Sequence, residues 1–112
     1  MDELAKKKCK PCEDDGFPAY TPEQAADMMA HIPEWKLSVD ARTITRSFPF
    51  KDFKGALEFA NRIGKLADEE WHHPDLIVAW GRVEALLTTH SIKGLSENDF
   101  IMAAKIDLLL EE

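Results

Sequence analysis

No stretch of this chain approaches the run of about 18 apolar residues that marks a membrane-spanning helix, and its first residues lack the apolar centre of a signal peptide. No membrane association and a cytoplasmic location are the expectation. Positive charge is also scarce: 14 Lys and Arg stand against 21 Asp and Glu, a formal net charge of −7 at pH 7. Nucleic-acid affinity comes mainly from clustered cations, so direct DNA or RNA binding is not expected. Cysteine is confined to Cys9 and Cys12, a Cys-Lys-Pro-Cys pair inside a basic segment. Half of a zinc site and a redox pair are the functional readings. Zinc wants four ligands, however, and a redox motif belongs beside a βαβ unit, and neither context is visible. A tail carrying two exposed thiols in a reducing compartment is the simpler interpretation.

What remains describes an ordinary globular chain. With 112 residues, 45% hydrophobic and 31% charged, it has enough material for one core and not comfortably for two. Residues 1–19 show no apolar periodicity and are expected to form a tail packed loosely if at all, leaving residues 20–112 as the domain. Thr21-Pro22-Glu23-Gln24 predicts a helix start with a capping box, Ala25, Ala26, Met28, Met29 and Ile32 supply its buried stripe, and Pro33 stops it. Trp35, Leu37 and Val39 alternate with polar residues, and Ile44, Phe48 and Phe50 continue that period after a turn near Asp40-Ala41-Arg42, with Arg46 interrupting it. This predicts a hairpin.

From Asp52 to about Glu70 the spacing of Phe53, Ala56, Leu57, Ala60, Ile63, Gly64 and Ala67 changes to that of an amphipathic helix. Leu76 to Trp80 predicts a strand apolar on both faces, Gly81-Arg82 its turn, and Val83 to about Ser91 the returning strand. Ser96 to Asp99 predicts a further helix cap, followed by Phe100, Ile101, Ala104, Ile106, Leu108 and Leu109. The order α-β-β-α-β-β-α implies an α+β fold: a four-stranded antiparallel sheet with helices packed on one face.

The chemistry concentrates in Asp68-Glu69-Glu70-Trp71-His72-His73-Pro74, with His90 on a separate apolar run. Histidine is the side chain whose ordinary pKa lies nearest neutrality, which suits proton transfer. Pro74 pushes His73 into an extended conformation, so the helix must end before or within the pair. Asp68 and His72 are four residues apart and could share a helix face, where the carboxylate would fix the imidazole tautomer. His72 then reads as a general acid or as a helix-terminal histidine satisfying the last carbonyls, and the local pattern leaves both open. Neighbouring side chains on extended backbone diverge, so His72 and His73 should not face one spot; with no HExxH spacing either, no metal site is expected. A lone strand histidine such as His90 is more often structural than catalytic. Trp35 and Trp80 read as core aromatics, with Trp80 also near enough to the junction to wall a pocket, and His31 reads as structural or exposed.

Taken together, these residues resemble the signature of the pterin-4a-carbinolamine dehydratases, some of whose members are dimerization cofactors of a homeodomain transcription factor. The pattern is an acidic residue, three residues, His-His-Pro, five residues, an aromatic, nine residues, His, eight residues and Asp, met by Asp68, His72-His73-Pro74, Trp80, His90 and Asp99. Phe48 to Phe53 and His90 to Phe100 add to the match, which covers about Thr21 to Leu110. Leu76, where animal members carry an aromatic, agrees with a bacterial-type protein, and Asp68 stands where Glu is common.

The resemblance implies a hydro-lyase that dehydrates 4a-hydroxytetrahydropterin to the quinonoid dihydropterin, recycling the cofactor of aromatic amino-acid hydroxylases. It implies no cofactor of the protein's own, the pterin being substrate. His72 and His90 would carry protons, His73 would hold the pterin, Asp68 would set up His72, and Pro74, Thr89, Ser91 and Ile92 would help line the pocket. A homodimer or homotetramer is implied, and a phenylalanine hydroxylase pathway partner is allowed. The rival reading on the same fold is a non-catalytic dimerization or assembly-factor module.

Overall fold

The computed structural model describes residues 3–9 and 19–110. Its elements follow as α1 (Pro22–Met28), β1 (Lys36–Leu37), β2 (Ile44–Pro49), α2 (Phe53–Glu70), β3 (Asp75–Ala79), β4 (Arg82–Leu87) and α3 (Glu97–Leu109). The strands make one antiparallel sheet in the order β1-β2-β4-β3, so the two hairpins meet through β2 and β4. In that register Ile44 lies opposite Leu87 and Phe48 opposite Val83, while Ala85 faces Arg46 on one side and Leu76 on the other. These residues share one face, and Ile44, Phe48, Val83, Ala85 and Leu87 are all buried there beneath α2 and α3. Burying a side chain the size of Val, Leu, Ile or Phe contributes about 1.5–3 kcal/mol, so this face organises the domain.

The caps form as the residues dictate. Thr21 Oγ1 accepts from Gln24 N at 3.1 Å and Gln24 Oε1 accepts from Thr21 N at 2.9 Å, so each orphan donor is matched. Asp52 starts α2 by accepting from Gly55 N at 2.8 Å. Arg46, the charge that breaks the apolar alternation, lies across the Phe48 ring and donates to Asp107 of α3 at 2.7 Å. The same carboxylate oxygen accepts from Trp35 Nε1 at 2.9 Å, tying the first hairpin to the last helix.

Several expectations need correction. The first strand is only two residues long, because the Ser38 hydroxyl and Asp40 carboxylate capture the backbone N–H of Arg42 and turn the chain early, leaving Val39 fully exposed. Trp80 is not a core residue. With Gly81 it makes the two-residue connection between β3 and β4, which puts its ring in solvent at the hairpin tip. Gly81 has φ +78°, where a side chain would be strained, and Arg82 already belongs to β4. Strand β3 is an edge strand with Ile77 exposed, so it is apolar on both faces but only half-buried on one. On α2, Phe53 and Leu57 are exposed and Phe59 is buried in their place.

Strand β4 ends at Leu87, short of the expected Ser91. Residues 3–9 are not loosely attached either: a 3₁₀ turn at Glu3–Lys6 packs against α3 and buries Leu4 and Ala5. Cys12 lies outside the described residues.

Candidate active site

Helix α2 closes on a backbone conformation unusual for its residue. Trp71 adopts the left-handed region, φ 54° and ψ 42°, which normally falls to Gly or Asn. Its N–H and that of His72 both donate to Ala67 O, the latter at 3.2 Å. This sharp closure, followed by extended backbone into Pro74, sends the two histidines in opposite directions, as their neighbouring positions predicted. His72 is turned inward and buried, whereas about half of the His73 side chain stays in water.

The inward histidine meets a carboxylate from a distant part of the chain. His72 Nε2 lies 2.6 Å from Asp99 Oδ1, and Asp99 is 0% exposed. An ionised carboxylate only accepts, so the hydrogen of this bond sits on Nε2 and the tautomer follows. The other oxygen, Oδ2, accepts from Thr89 Oγ1 at 2.8 Å and from Ser96 N at 2.9 Å. Thr89 Oγ1 and Ser96 Oγ are a further 2.8 Å apart. Asp99 is thus both the capping-box residue of α3 and the hub of a buried network joining the end of α2, the end of β4 and the start of α3.

Asp68 does not set up His72. Its Oδ1 is 2.9 Å from Nε2 of His73, five residues on, because the left-handed turn at Trp71 swings His72 off the helix face that four-residue spacing would have given it. Trp71 meets the same imidazole edge to face at 5.3 Å between ring centroids. His73 is therefore held on its exposed side by one carboxylate and one aromatic ring.

His90 is not on a strand. It opens a 3₁₀ turn, His90–Ile92, enclosed by the antiparallel bridge between Thr89 and Gly94 and closed by Lys93 at φ 56°. His90 and Ser91 are exposed, Ile92 and Pro74 are half-buried, and Thr89 is buried. The consequence is a fixed frame: His73 follows the buried His72 directly, His90 follows the buried Thr89 directly, and both buried residues bond to Asp99. Two exposed imidazoles thus each follow a residue bonded to the same buried carboxylate. Two surface hollows of about 330 and 250 Å³ lie elsewhere, along Arg62 and Leu109, with no histidine in their walls. Among the described residues no group of three or more His, Cys, Asp or Glu is placed to hold a metal ion.

In the sequence Asp99 reads as a helix cap and a signature position with no sign of the imidazole it meets, and Trp71 belongs to no motif. The Asp99 pairing has a partial signal in the capping box, which predicts an inward carboxylate at the third helical position. Nothing local to Trp71 announces a left-handed residue.

The matching family model, described as "Pterin 4 alpha carbinolamine dehydratase", spans residues 18–109. The chain belongs to this family. Among curated members, a protein of Methylococcus capsulatus is 45% identical over 109 residues, covering 97% of this chain and 95% of that one. One of Rubrobacter xylanophilus is 46% identical over 109 residues, covering 97% of this chain and all of the other. Both carry the provisional name pterin-4-alpha-carbinolamine dehydratase. The crystal structure of a transcriptional coactivator/pterin dehydratase from Brucella melitensis superposes with a TM-score of 0.76 at 33% identity, over 81% of this chain and 97% of that one. A pterin dehydratase-like RuBisCO assembly factor of the alpha-carboxysome shares the fold, with a TM-score of 0.59 at 20% identity over 70% of this chain and 92% of that one. Among the described residues no helix is long and apolar enough to cross a membrane.

Proposed function

We propose that the protein dehydrates a 4a-hydroxytetrahydropterin to the quinonoid dihydropterin and water, by histidine acid–base chemistry. The observation that carries this reading is the buried His72–Asp99 pair, tied through Thr89 to the segment bearing His90. The reaction needs a proton delivered to the 4a-oxygen as the C4a–O bond breaks and a proton removed from a ring nitrogen, so two imidazoles on one frame suffice. No metal or redox cofactor enters this scheme.

Asp99 holds the His72 ring by Nε2 and so orients it for proton transfer. This is the familiar logic of a carboxylate orienting an imidazole, with Asp99 in the role that four-residue spacing suggests for Asp68. His90 acts as the second proton carrier. His73, oriented by Asp68 and Trp71, holds the pterin, with Pro74, Ser91 and Ile92 at the margins of the site. The reading carries with it a homo-oligomer in the cytoplasm and recycling of the pterin cofactor of an aromatic amino-acid hydroxylase.

The test is a hydroxylase-coupled assay that follows decay of the 4a-carbinolamine absorbance. Wild-type protein is expected to accelerate the decay, and a chain carrying His72→Ala with His90→Ala is not. Equal acceleration by both would sink the assignment. No acceleration by either, with the protein retained by its partners in the source cell, would favour the assembly-module alternative.

A further inference from the structure

A buried carboxylate at the C-terminal end of a helix is locally the wrong residue, because the helix dipole places partial negative charge there. Glu70 is such a residue: it ends α2, only 9% exposed, and the reaction described above does not use it. What surrounds it is the N-terminal segment. The Cys9 N–H donates to Glu70 Oε1 at 3.0 Å, and Lys8 Nζ approaches Oε2 at 3.6 Å. Lys105 of α3 lies 3.8 Å from the same oxygen and donates to the Ala5 carbonyl at 2.8 Å.

The same segment also grips the start of α3. Lys7 pairs with Glu97 at 2.7 Å, and Cys9 Sγ lies 3.8 Å from the carbonyl of Asn98, the residue before Asp99. Leu4 and Ala5 are buried against the domain, which anchors the segment independently of its charges. Residues 4–9 therefore hold two places at once: two residues before His72, and one to two residues before Asp99. Just beyond those two places, His72 and Asp99 meet at 2.6 Å.

We infer that Glu70 is a positioning residue, the point at which the N-terminal segment Leu4–Cys9 ties the end of α2 to the start of α3 and so sets His72 against Asp99. The catalytic part of this inference rests on the proposed dehydration; the geometric part does not. A basic, cysteine-containing tail with no evident role thereby acquires one. It is a strap whose lysines and backbone N–H neutralise Glu70, and whose loss would let the imidazole tilt away from its carboxylate. Displacements of about 1 Å at a reacting group cost up to a hundredfold in rate, so a partial loosening is worth about tenfold.

The experiment uses the full chain with Glu70→Ala, Glu70→Gln, Lys105→Met and, as a control of equal charge change, Glu69→Gln. Proton NMR reads the imidazole N–H of His72 bonded to Asp99, and steady-state kinetics read kcat and KM. In Glu70→Ala the N–H signal is expected to broaden or vanish through exchange with water, with kcat about tenfold lower and KM changed less than twofold. Glu70→Gln keeps an acceptor for Cys9 and should rescue part of both, and Glu69→Gln should match wild type. A Glu70→Ala protein that melts earlier yet keeps the wild-type N–H signal and kcat would show a merely structural role and overturn the inference. Should Glu70→Ala not fold, unchanged signal and kcat in both Glu70→Gln and Lys105→Met would overturn it equally. If wild-type protein shows no dehydration at all, the proposed reaction fails, and the N–H signal alone decides the positioning.

Discussion

Replacing Asp99 by Asn keeps the shape of the buried hub and changes only what it can accept. The carboxylate takes three incoming bonds, one from His72 on Oδ1 and two, from Thr89 and Ser96, on Oδ2. An amide has a single oxygen, and the Ser96 N–H can only donate, so that oxygen should occupy the Oδ2 place. The amide N–H₂ then faces Nε2 of His72, where the native structure has a hydrogen already. Two donors cannot share that gap. The imidazole must move its hydrogen to Nδ1 and accept through Nε2.

The energetic loss is a charge-assisted buried bond, about 1.5–3 kcal/mol, replaced by a neutral one of about 0.5–1.5, a net cost of about 1–2 kcal/mol. For a domain of this size that lowers Tm by roughly 5–12 °C. Nitrogen-15 NMR of the imidazole, which distinguishes a protonated from an accepting ring nitrogen, should show the tautomer inverted. Dehydration should fall on the order of a hundredfold or more, as when an orienting carboxylate is neutralised elsewhere. Asp99→Leu, by contrast, strands three buried donors at about 1–3 kcal/mol each and should consume most of the stability of a domain this small. An Asp99→Asn protein that melts with wild type and keeps its hydrogen on Nε2 would refute the reasoning.

Asp68→Ala removes an exposed pair, so stability should move by about 0.5 kcal/mol or less in denaturant titrations, while KM for the pterin rises with little change in kcat. Trp71→Gly relieves a bulky residue of the left-handed conformation, worth about 1–2 kcal/mol, and loses only a solvent-exposed ring contact with His73. Its urea midpoint should equal or exceed that of wild type, and a clear drop would show that the aromatic contact outweighs the strain. Burial pushes the Glu70 carboxyl up, but the Cys9 N–H, Lys105 and Lys8 together outweigh it and leave the group below its ordinary value of 4.5. A depressed carboxylate contributes stability above that ordinary value and loses it as pH falls through the lowered one. Acid titration of stability should therefore be steeper below pH 4.5 in wild type than in Glu70→Gln.

Legibility followed the range of the forces involved. The caps at Thr21 and Ser96, the long period of α2 and the alternation of β2 are set within a few residues, and these elements start where the pattern placed them. The short β1 and the exposed Trp80 depart from the apolar pattern because a hydrophobic residue need not be buried. Side-chain capture at Ser38 and Asp40, and the position of Trp80 at a hairpin tip, decided otherwise. Residues 3–9 read as a tail because their binding surface includes α3, roughly 90 residues away in the chain.

Sequence by itself determined that the chain has the α+β fold of the pterin dehydratase family, that Pro74 must part His72 from His73, and that Asp99 caps a helix. Periodicity, caps and proline geometry are local, and local pattern carries them. Which carboxylate serves which histidine was decided only in three dimensions. Four-residue spacing pointed Asp68 at His72, but one left-handed residue at Trp71 rotated the chain, gave Asp68 to His73 and turned His72 toward Asp99, 27 residues on. A backbone dihedral at a helix end, and the packing of α3 against it, are properties of the folded whole.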